Sequence, residues 1–156
     1  IFYSLIVLCL LGCNAGYAPK SSDSIRKQMK EVLDGSESPF IKLWKINSMK
    51  GELALAYNNE NRPDDAIEIL HELIKKNKEP HGIMGERMPK MSAHYGLDSA
   101  YYRMLAESYQ LKKDSDSQTK ALNKMKQAEA MEARLKPAEQ AREERQKKRE
   151  RDSILQ

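Results

Sequence analysis

The sequence predicts an all-α protein built from stacked antiparallel helix pairs. Its composition is dominated by Ala, Leu, Lys, Glu, Gln, Met and Arg, which form helices readily, whereas Val is almost absent after the first ten residues. Only 6% of the residues are aromatic and 32% are charged, so the apolar side chains are small and the surface is highly solvated. At 156 residues the chain has room for one domain.

Residues 51–80 carry the clearest helical pattern. Leu53 and Tyr57 lie four residues apart and therefore share one helix face. A polar run then breaks the pattern, and Pro63 suits the first position of a new helix because no N–H is needed there. The second helix has a continuous apolar stripe: Ala66, Ile67, Leu70, Leu73 and Ile74. We expect the two helices to fold back on each other and bury their apolar faces.

These residues resemble the tetratricopeptide repeat (TPR), a helix pair with a W-x2-L-G-x2-Y, then A-x3-F, then P pattern over about 34 residues. Residues 47–81 match it with Leu53, Ala54, Tyr57, Ala66, Leu70 and Pro80, and Lys50 stands where the first aromatic would be. A looser copy over 99–131 contains Tyr102, Leu105, Ala106, Tyr109, Ala121 and Met125. Because Tyr109 and Ala121 are twelve residues apart, where Tyr57 and Ala66 are nine apart, we expect a longer turn over 111–117.

The resemblance implies that a peptide or a partner subunit binds along the concave face formed by the first helix of each pair. On the aligned copies, that face would present Ser48, Gly51, Leu55 and Asn58, followed by Arg103, Glu107 and Gln110. Some members grip a C-terminal carboxylate with Lys, Asn and Arg at inner positions. The aligned positions here hold Gly51, Leu55, Arg103 and Glu107, so no such clamp is expected. Since about three repeats are usually needed, the first and last helices must act as caps, or a partner must complete the stack.

Residues 1–13 have the pattern of a targeting segment. The chain opens on Ile1 without a Met, and we expect its first few residues to be missing. The apolar run 1–12 is shorter than the about 20 residues that span a membrane, but it has the length of a signal-peptide hydrophobic region. It ends in Leu-Leu-Gly-Cys, which resembles the bacterial lipobox and implies lipidation of Cys13. An uncleaved membrane anchor and a buried core helix are the alternatives.

Three further segments surround the first repeat. Residues 14–24 contain Gly, Pro and Ser and predict a flexible tether before a helical domain over 25–136. A short helix from Ile25, capped by Ser24 or Asp23, should stop at Gly35. The next helix can begin as early as Pro39. We expect Trp44 to pack in the core against the short helix, with ligand stacking as the alternative.

Residues 79–98 separate the two copies. They contain three glycines and two prolines, which predict a loop instead of a helix. The segment also holds soft potential copper ligands: His81, Met84, Met88, Met91 and His94. Their spacing matches no defined site, so we expect the Met side chains to pack over the helix edges and predict no metal site. On the second helix, His71 is expected to be a half-buried surface residue.

The C-terminal part of the chain is strongly charged. A helix over 127–135 should be interrupted or kinked at Pro137. Beyond it, residues 137–156 mix Arg and Lys with Glu and Asp and contain almost no apolar side chain, which predicts a solvated helix or a tail. Contact with a membrane surface or nucleic acid is the alternative, but the interspersed acids weaken the positive field.

The sequence contains no pattern that points to catalysis. A Gly-rich phosphate loop, CxxC, HExxH and GxSxG are all missing, and neither cysteine has a plausible His partner. We therefore predict a protein–protein interaction scaffold without catalytic residues, cofactor or nucleic-acid partner: a TPR-like lipoprotein of the bacterial envelope that faces the periplasm, with the outer membrane favoured. One alternative is an accessory subunit of a membrane assembly, anchored by an uncleaved N-terminal helix. Another is an enzyme or metal carrier that uses the His/Met loop.

Overall fold

The structure, a computed structural model, describes residues 19–78 and 89–154, and the regular secondary structure in these ranges is entirely α-helical. Five helices follow one another in the described ranges: α1 Ser22–Asp34, α2 Pro39–Asn59, α3 Pro63–Lys78, α4 Ser92–Leu111 and α5 Ser115–Ile154. The all-α prediction is confirmed. The predictions for the apolar run and for Cys13 fall outside the described residues.

The helices stack in chain order. Lys76 Nζ donates to Asn47 Oδ1 at 3.4 Å, and Lys50 pairs with Glu72, so α2 and α3 run antiparallel. Contacts of α4 with both α3 and α2 join this pair to α4 and α5, and α1 packs on the outer side of α2. Within the described ranges, α3 and α5 both pack on α4 but not on each other. The described chain is therefore two helix pairs with one additional helix at the start.

The core lies where small residues allow the helices to approach. Ala54 and Ala66 are completely buried, and Tyr57 and Leu70 fill the space around them. The predicted stripe of the second helix is confirmed: Ala66, Leu70, Leu73 and Ile74 are buried, and Ile67 packs against the core. Tyr57 is only 1% exposed, so the predicted first-helix face is also turned inward.

The two turns within the pairs have the same length and backbone shape, which shows that the predicted long turn over 111–117 is wrong. Asn61 (φ 57°) and Lys113 (φ 59°) adopt the left-handed conformation after α2 and α4. In each turn the next N–H reaches back to a tyrosine carbonyl, Arg62 to Tyr57 at 2.8 Å and Asp114 to Tyr109 at 2.9 Å. The first turn of α5 is polar, so its apolar pattern begins one turn inside the helix and suggested a longer loop.

The predicted loop over 79–98 is corrected at its C-terminal end, because α4 begins at Ser92. Gly96 lies inside the helix, where an added Cβ would stand 3.2 Å from the Glu132 carboxylate of α5. The α4 backbone thus lies close to the Glu132 side chain of α5 at this position, and glycine in this helix does not mark a loop. The N-terminus of α4 is also joined to α3 by Asn77 Nδ2, which donates to Asp98 Oδ1 at 2.7 Å. Residues 79–88 lie outside the described residues.

Pro137 does not interrupt a helix, which was one of the two outcomes that the sequence predicted. It lies inside α5, which continues without interruption from Ser115 to Ile154 across the predicted domain boundary. Proline removes one backbone hydrogen bond, but the strong helix formers on both sides, such as Leu135 and Ala138, favour continuation. Residues 140–153 are all exposed, so this part of α5 is the predicted solvated helix.

The N-terminal part of the domain differs from expectation at two points. The helix α1 begins at Ser22 with Ser21 as its cap, so the predicted tether over 14–24 extends too far and the predicted caps are wrong. Trp44 is 47% exposed and does not belong to the core. Near Trp44, Lys42 joins α2 to α1 by donating to the Leu33 carbonyl oxygen at 2.7 Å.

Candidate partner-binding surfaces

The first candidate is an exposed apolar stripe along α2, formed by Ile41, Trp44, Ser48 and Leu55. These residues recur at intervals of three, four and seven, so they share one face of the helix. Ile41, Trp44 and Leu55 are 44%, 47% and 39% exposed. We call this surface the α2 stripe. It contains the predicted groove residues Ser48 and Leu55, and it extends the predicted surface toward the start of α2.

Gly51 lies on the same side of α2 as the α2 stripe, between Ser48 and Leu55. It is buried, and an added Cβ would meet Tyr101 Cε1 of α4 at 4.0 Å. A small residue at this position lets α4 lie close to α2. Burial raises the pKa of the Tyr101 phenol to about 12, and the nearby Asp98 carboxylate adds to this effect. Gly51 thus marks the place where Tyr101 of α4 approaches the α2 stripe between Trp44 and Leu55.

Asn58 does not belong to the exposed groove that the sequence predicted. Its side chain is buried between α2 and α4, where Nδ2 donates to the Met104 carbonyl oxygen at 3.2 Å. The hydroxyl of Ser108 donates to Asn58 Oδ1 at 2.8 Å. A polar residue at an inner position suggested a ligand contact, but here the amide satisfies polar groups of α4 and joins the two pairs.

The other predicted groove residues form an exposed edge of α4 beside α5. Arg103 Nη2 contacts Glu129 Oε1 at 3.4 Å, and Gln118 Nε2 donates to Gln110 Oε1 at 3.5 Å. Glu107 is exposed between them. The structure therefore places Arg103, Glu107 and Gln110 along the seam between α4 and α5, while Ser48 and Leu55 lie on α2.

A second candidate surface was missed at the level of sequence. It is an open trough of about 660 Å³ over α4, between α3 and α5. Its floor and walls are apolar or aromatic, and lysines of α3 and α5 stand at its two rims; we call it the lysine trough. Its lining comprises His71, Ile74, Lys75, Lys78, Tyr102, Leu105, Tyr109, Ser117, Lys120, Ala121 and Lys124. Lysine pairs at helical spacing in two separate helices were the available signal, but only the fold shows that the helices flank one gap.

The described part of the chain holds no group of three or more His, Cys, Asp or Glu side chains that could bind a metal. His71 is exposed, not half-buried as predicted, and its Nε2 lies 3.2 Å from the Tyr109 hydroxyl. The Met91 N–H donates to His94 Nδ1 at 3.1 Å, and burial, with a smaller effect from Lys90, lowers the pKa of this imidazole. His81, Met84 and Met88 of the predicted soft-ligand set lie outside the described residues.

Comparison with known proteins identifies no relative. No family model matches the chain, and neither the curated proteins nor the solved structures include a significant match. Within residues 19–78 and 89–154, no helix is both long and apolar enough to cross a membrane.

Proposed function

We propose that this protein is a non-catalytic binding scaffold of the TPR type, and that the α2 stripe is where it holds a partner protein. The observation that carries the proposal is the exposure of Trp44 on a well-packed helix. Tryptophan is usually buried and, when exposed beside other apolar side chains, it is typical of an interface anchor. Leu55 and Ile41 extend the apolar surface along the same helix face.

The relation to TPR proteins is supported by the two helix pairs. Tyr57 and Tyr109 occupy equivalent places. The carbonyl oxygen of each accepts a hydrogen bond from the N–H of the turn residue five positions later. Both pairs bury a small residue directly beside a leucine in the first helix, Ala54 after Leu53 and Ala106 after Leu105. Two pairs are fewer than the about three repeats that usually form a stable stack. The scaffold proposal accounts for this by giving α1 the role of a cap and by letting a partner protein complete the stack.

The proposal includes lipidation of Cys13, which would anchor the scaffold in a bacterial envelope membrane, favouring the outer one, on its periplasmic side. It rests on the Leu-Leu-Gly-Cys sequence at 10–13. Residues 14–21 separate Cys13 from α1, and a fully extended chain of that length reaches at most about 30 Å. The α2 stripe would then lie close to the membrane. Metabolic labelling with a fatty acid should mark the wild type and not Cys13→Ala; equal labelling of both would contradict lipidation.

The partner-binding role can be tested with a photo-crosslinking amino acid. Placed at Ser48 and irradiated in cells, it should yield a discrete adduct with a partner protein. The double variant Trp44→Ala with Leu55→Ala should lose this adduct, because both apolar anchors are removed.

Leu111 offers the matched control, since it is an equally exposed apolar residue, 43%, at the end of α4. Leu111→Ala should leave the adduct from Ser48 unchanged. Adduct formation that survives the double variant, or that is lost equally in Leu111→Ala, would contradict the α2 stripe as the binding surface.

A further inference from the structure

We infer that the lysine trough binds an acidic amphipathic helix of a partner protein. The trough is formed by α3, α4 and α5 and shares no residue with the α2 stripe, so it is a second, separate binding surface. Three features carry the inference: the apolar floor, the positive charge on both rims, and the length over which the two coincide.

Each of three helices supplies one apolar side chain to the floor of the trough. Ile74 of α3, Leu105 of α4 and Ala121 of α5 are almost fully buried, and the half-buried rings of Tyr102 and Tyr109 stand beside them. A gap remains above them because α3 and α5 pack on α4 without meeting. An apolar stripe on another helix would fill this gap in the way a helix fills a groove.

The rims carry charge of one sign. Lys75 and Lys78 stand on the α3 side, and Lys120 and Lys124 stand on the α5 side; all four are exposed. No Asp or Glu lines the trough, and within the described ranges none of the four lysines forms a salt bridge.

The helix dipoles explain the presence of lysines on only one of the two rims. Lys75 and Lys78 lie in the last turn of α3, where cations complement the negative end of the helix. Lys120 lies in the second turn of α5, near the positive end, where a cation has no such benefit. Lys120 also interacts electrostatically with the Asp114 carboxylate at the start of α5, and the lysines on both sides of the trough suit an acidic ligand.

The dimensions select a helix over other anionic ligands. Each side of the trough spans seven residue steps, which is about 10 Å or two helical turns. On α3 the span runs from His71 to Lys78, and on α5 it runs from Ser117 to Lys124. A helix with apolar residues at i, i+4 and i+7 covers such a floor, and its flanking Glu side chains reach both lysine rows. A lipid headgroup or a nucleic-acid backbone would neutralise the lysines but leave the apolar floor uncovered.

The probe for this inference is a capped, fluorescently labelled helical peptide with Leu at i, i+4 and i+7 and Glu at the flanking positions. Fluorescence anisotropy with the full chain should show saturable binding that weakens with added salt. A peptide of the same composition with the Leu residues distributed around the helix should bind at least about tenfold more weakly, because it cannot cover the floor. A version with Lys in place of Glu should not bind.

Charge reversal in the protein supplies the second arm. Lys75→Glu with Lys120→Glu should weaken peptide binding by about tenfold or more, because one repulsive charge then stands on each rim. The matched control is Lys30→Glu with Lys126→Glu, two exposed lysines outside the trough. The control should bind as the wild type does, and circular dichroism should show both variants to be folded.

Several outcomes would overturn the inference. These are failure of the wild type to bind the peptide, equal binding of the redistributed peptide, and an equal loss in the control variant. Lysine-dependent binding to phosphatidylglycerol vesicles, or lysine-dependent self-association, without peptide binding would assign the trough to a different occupant.

Trp44→Ala should leave peptide binding unchanged. Loss of the Ser48 adduct with intact peptide binding, or the reverse, therefore separates the α2 stripe from the lysine trough.

Discussion

Tyr57 shows how single residues hold this fold together. Its ring is buried, yet its hydroxyl accepts a hydrogen bond from Arg26 Nε of α1 at 2.6 Å. The guanidinium of Arg62 lies 4.4 Å from the ring centre, within range of a cation–π contact. One side chain thus joins α1, α2 and the turn before α3. Its neighbour Asn58 has the corresponding role toward α4.

Removal of the Asn58 amide should destabilise the stack without affecting any exposed surface. Asn58→Ala leaves the Met104 carbonyl and the Ser108 hydroxyl with fewer partners between α2 and α4. We expect a loss of about 1–3 kcal/mol in the free energy of unfolding, measured with urea. Asn59→Ala, at the exposed next position, should change it by less than about 0.5 kcal/mol. Equal effects would argue against a bridging role for Asn58.

Tyr101 should make stability fall in strongly alkaline solution. Burial, assisted by Asp98, raises its pKa from 10.0 to about 12. The unfolded chain therefore releases this proton first, so the contribution to stability is complete below pH 10 and is lost as the pH rises toward 12. Urea unfolding at a series of alkaline pH values should show a shallower decline for Tyr101→Phe. An unchanged decline would contradict the assignment.

At the scale of helices, two N-termini are held in the same way by a glutamate from a neighbouring helix. The Ser22 N–H and hydroxyl donate to the Glu60 carboxylate at 2.7 and 2.6 Å, which fixes the start of α1 against the end of α2. Similarly, the Ser92 N–H donates to Glu139 Oε1 at 2.9 Å, and its hydroxyl donates to Oε2. Each carboxylate satisfies unpaired helix donors and complements the positive end of the helix.

Loss of the Glu60 carboxylate should loosen α1 while the rest of the chain stays folded. The Ser22 hydroxyl and then its N–H hold the pKa of Glu60 below the ordinary 4.5. This stabilisation is present above pH 4.5 and is lost as the pH falls through the lower native pKa. Protection against hydrogen exchange, measured relative to the intrinsic rate at each pH, should therefore fall in α1, and not in α4, both in Glu60→Ala and in acid.

Glu37 provides the control for this experiment. Its pairing with Lys45 lies on the surface between α1 and α2. Exposed pairs contribute little to stability, so Glu37→Ala should leave exchange in α1 nearly unchanged. Exchange that rises uniformly over all helices in Glu60→Ala would instead indicate global destabilisation.

At the scale of the whole molecule, the length of α5 sets the outline of the described chain. Its 40 residues extend about 60 Å, whereas the 20 residues of α4 cover about 30 Å. The bond between Ser92 and Glu139 marks the point where the two helices stop pairing. Beyond it, residues 140–153 are exposed on every side of the helix. This projecting part is solvated and leaves the core and both candidate surfaces unchanged.

Truncation should separate the packed and projecting parts of α5. A chain that ends at Gln140 should keep the stability of the full chain to within about 0.5 kcal/mol, because residues 141–153 are exposed. A chain that ends at Lys136 also loses Glu139 and should be less stable by about 1 kcal/mol, the usual effect of an N-cap. Glu139→Ala should reproduce that loss in thermal unfolding, and Glu143→Ala should not.

Local patterns were sufficient to predict much of the fold. Pro39 and Pro63 mark helix starts, and the stripe from Ala66 to Ile74 identifies the buried face of α3, because capping and periodicity act within a few residues. Of the groove positions that the TPR resemblance implied on this helix, Ser48 and Leu55 are exposed, whereas Gly51 and Asn58 are buried. Gly96 and the polar start of α5 were misread as loop because no local pattern shows that α4 and α5 pack on each other there, and the helix continues through Pro137 because strong helix formers stand on both sides.

The sequence by itself determined the helical class, the extent of the first helix pair and the face that this pair buries, since these depend on contacts between near neighbours in the chain. Only the tertiary structure decided that Asn58 is buried, that Trp44 is exposed and that lysines of α3 and α5 flank one trough. These features depend on which helices meet and which do not. Residues about 45 positions apart are brought together or kept apart by packing, and no local pattern encodes that outcome.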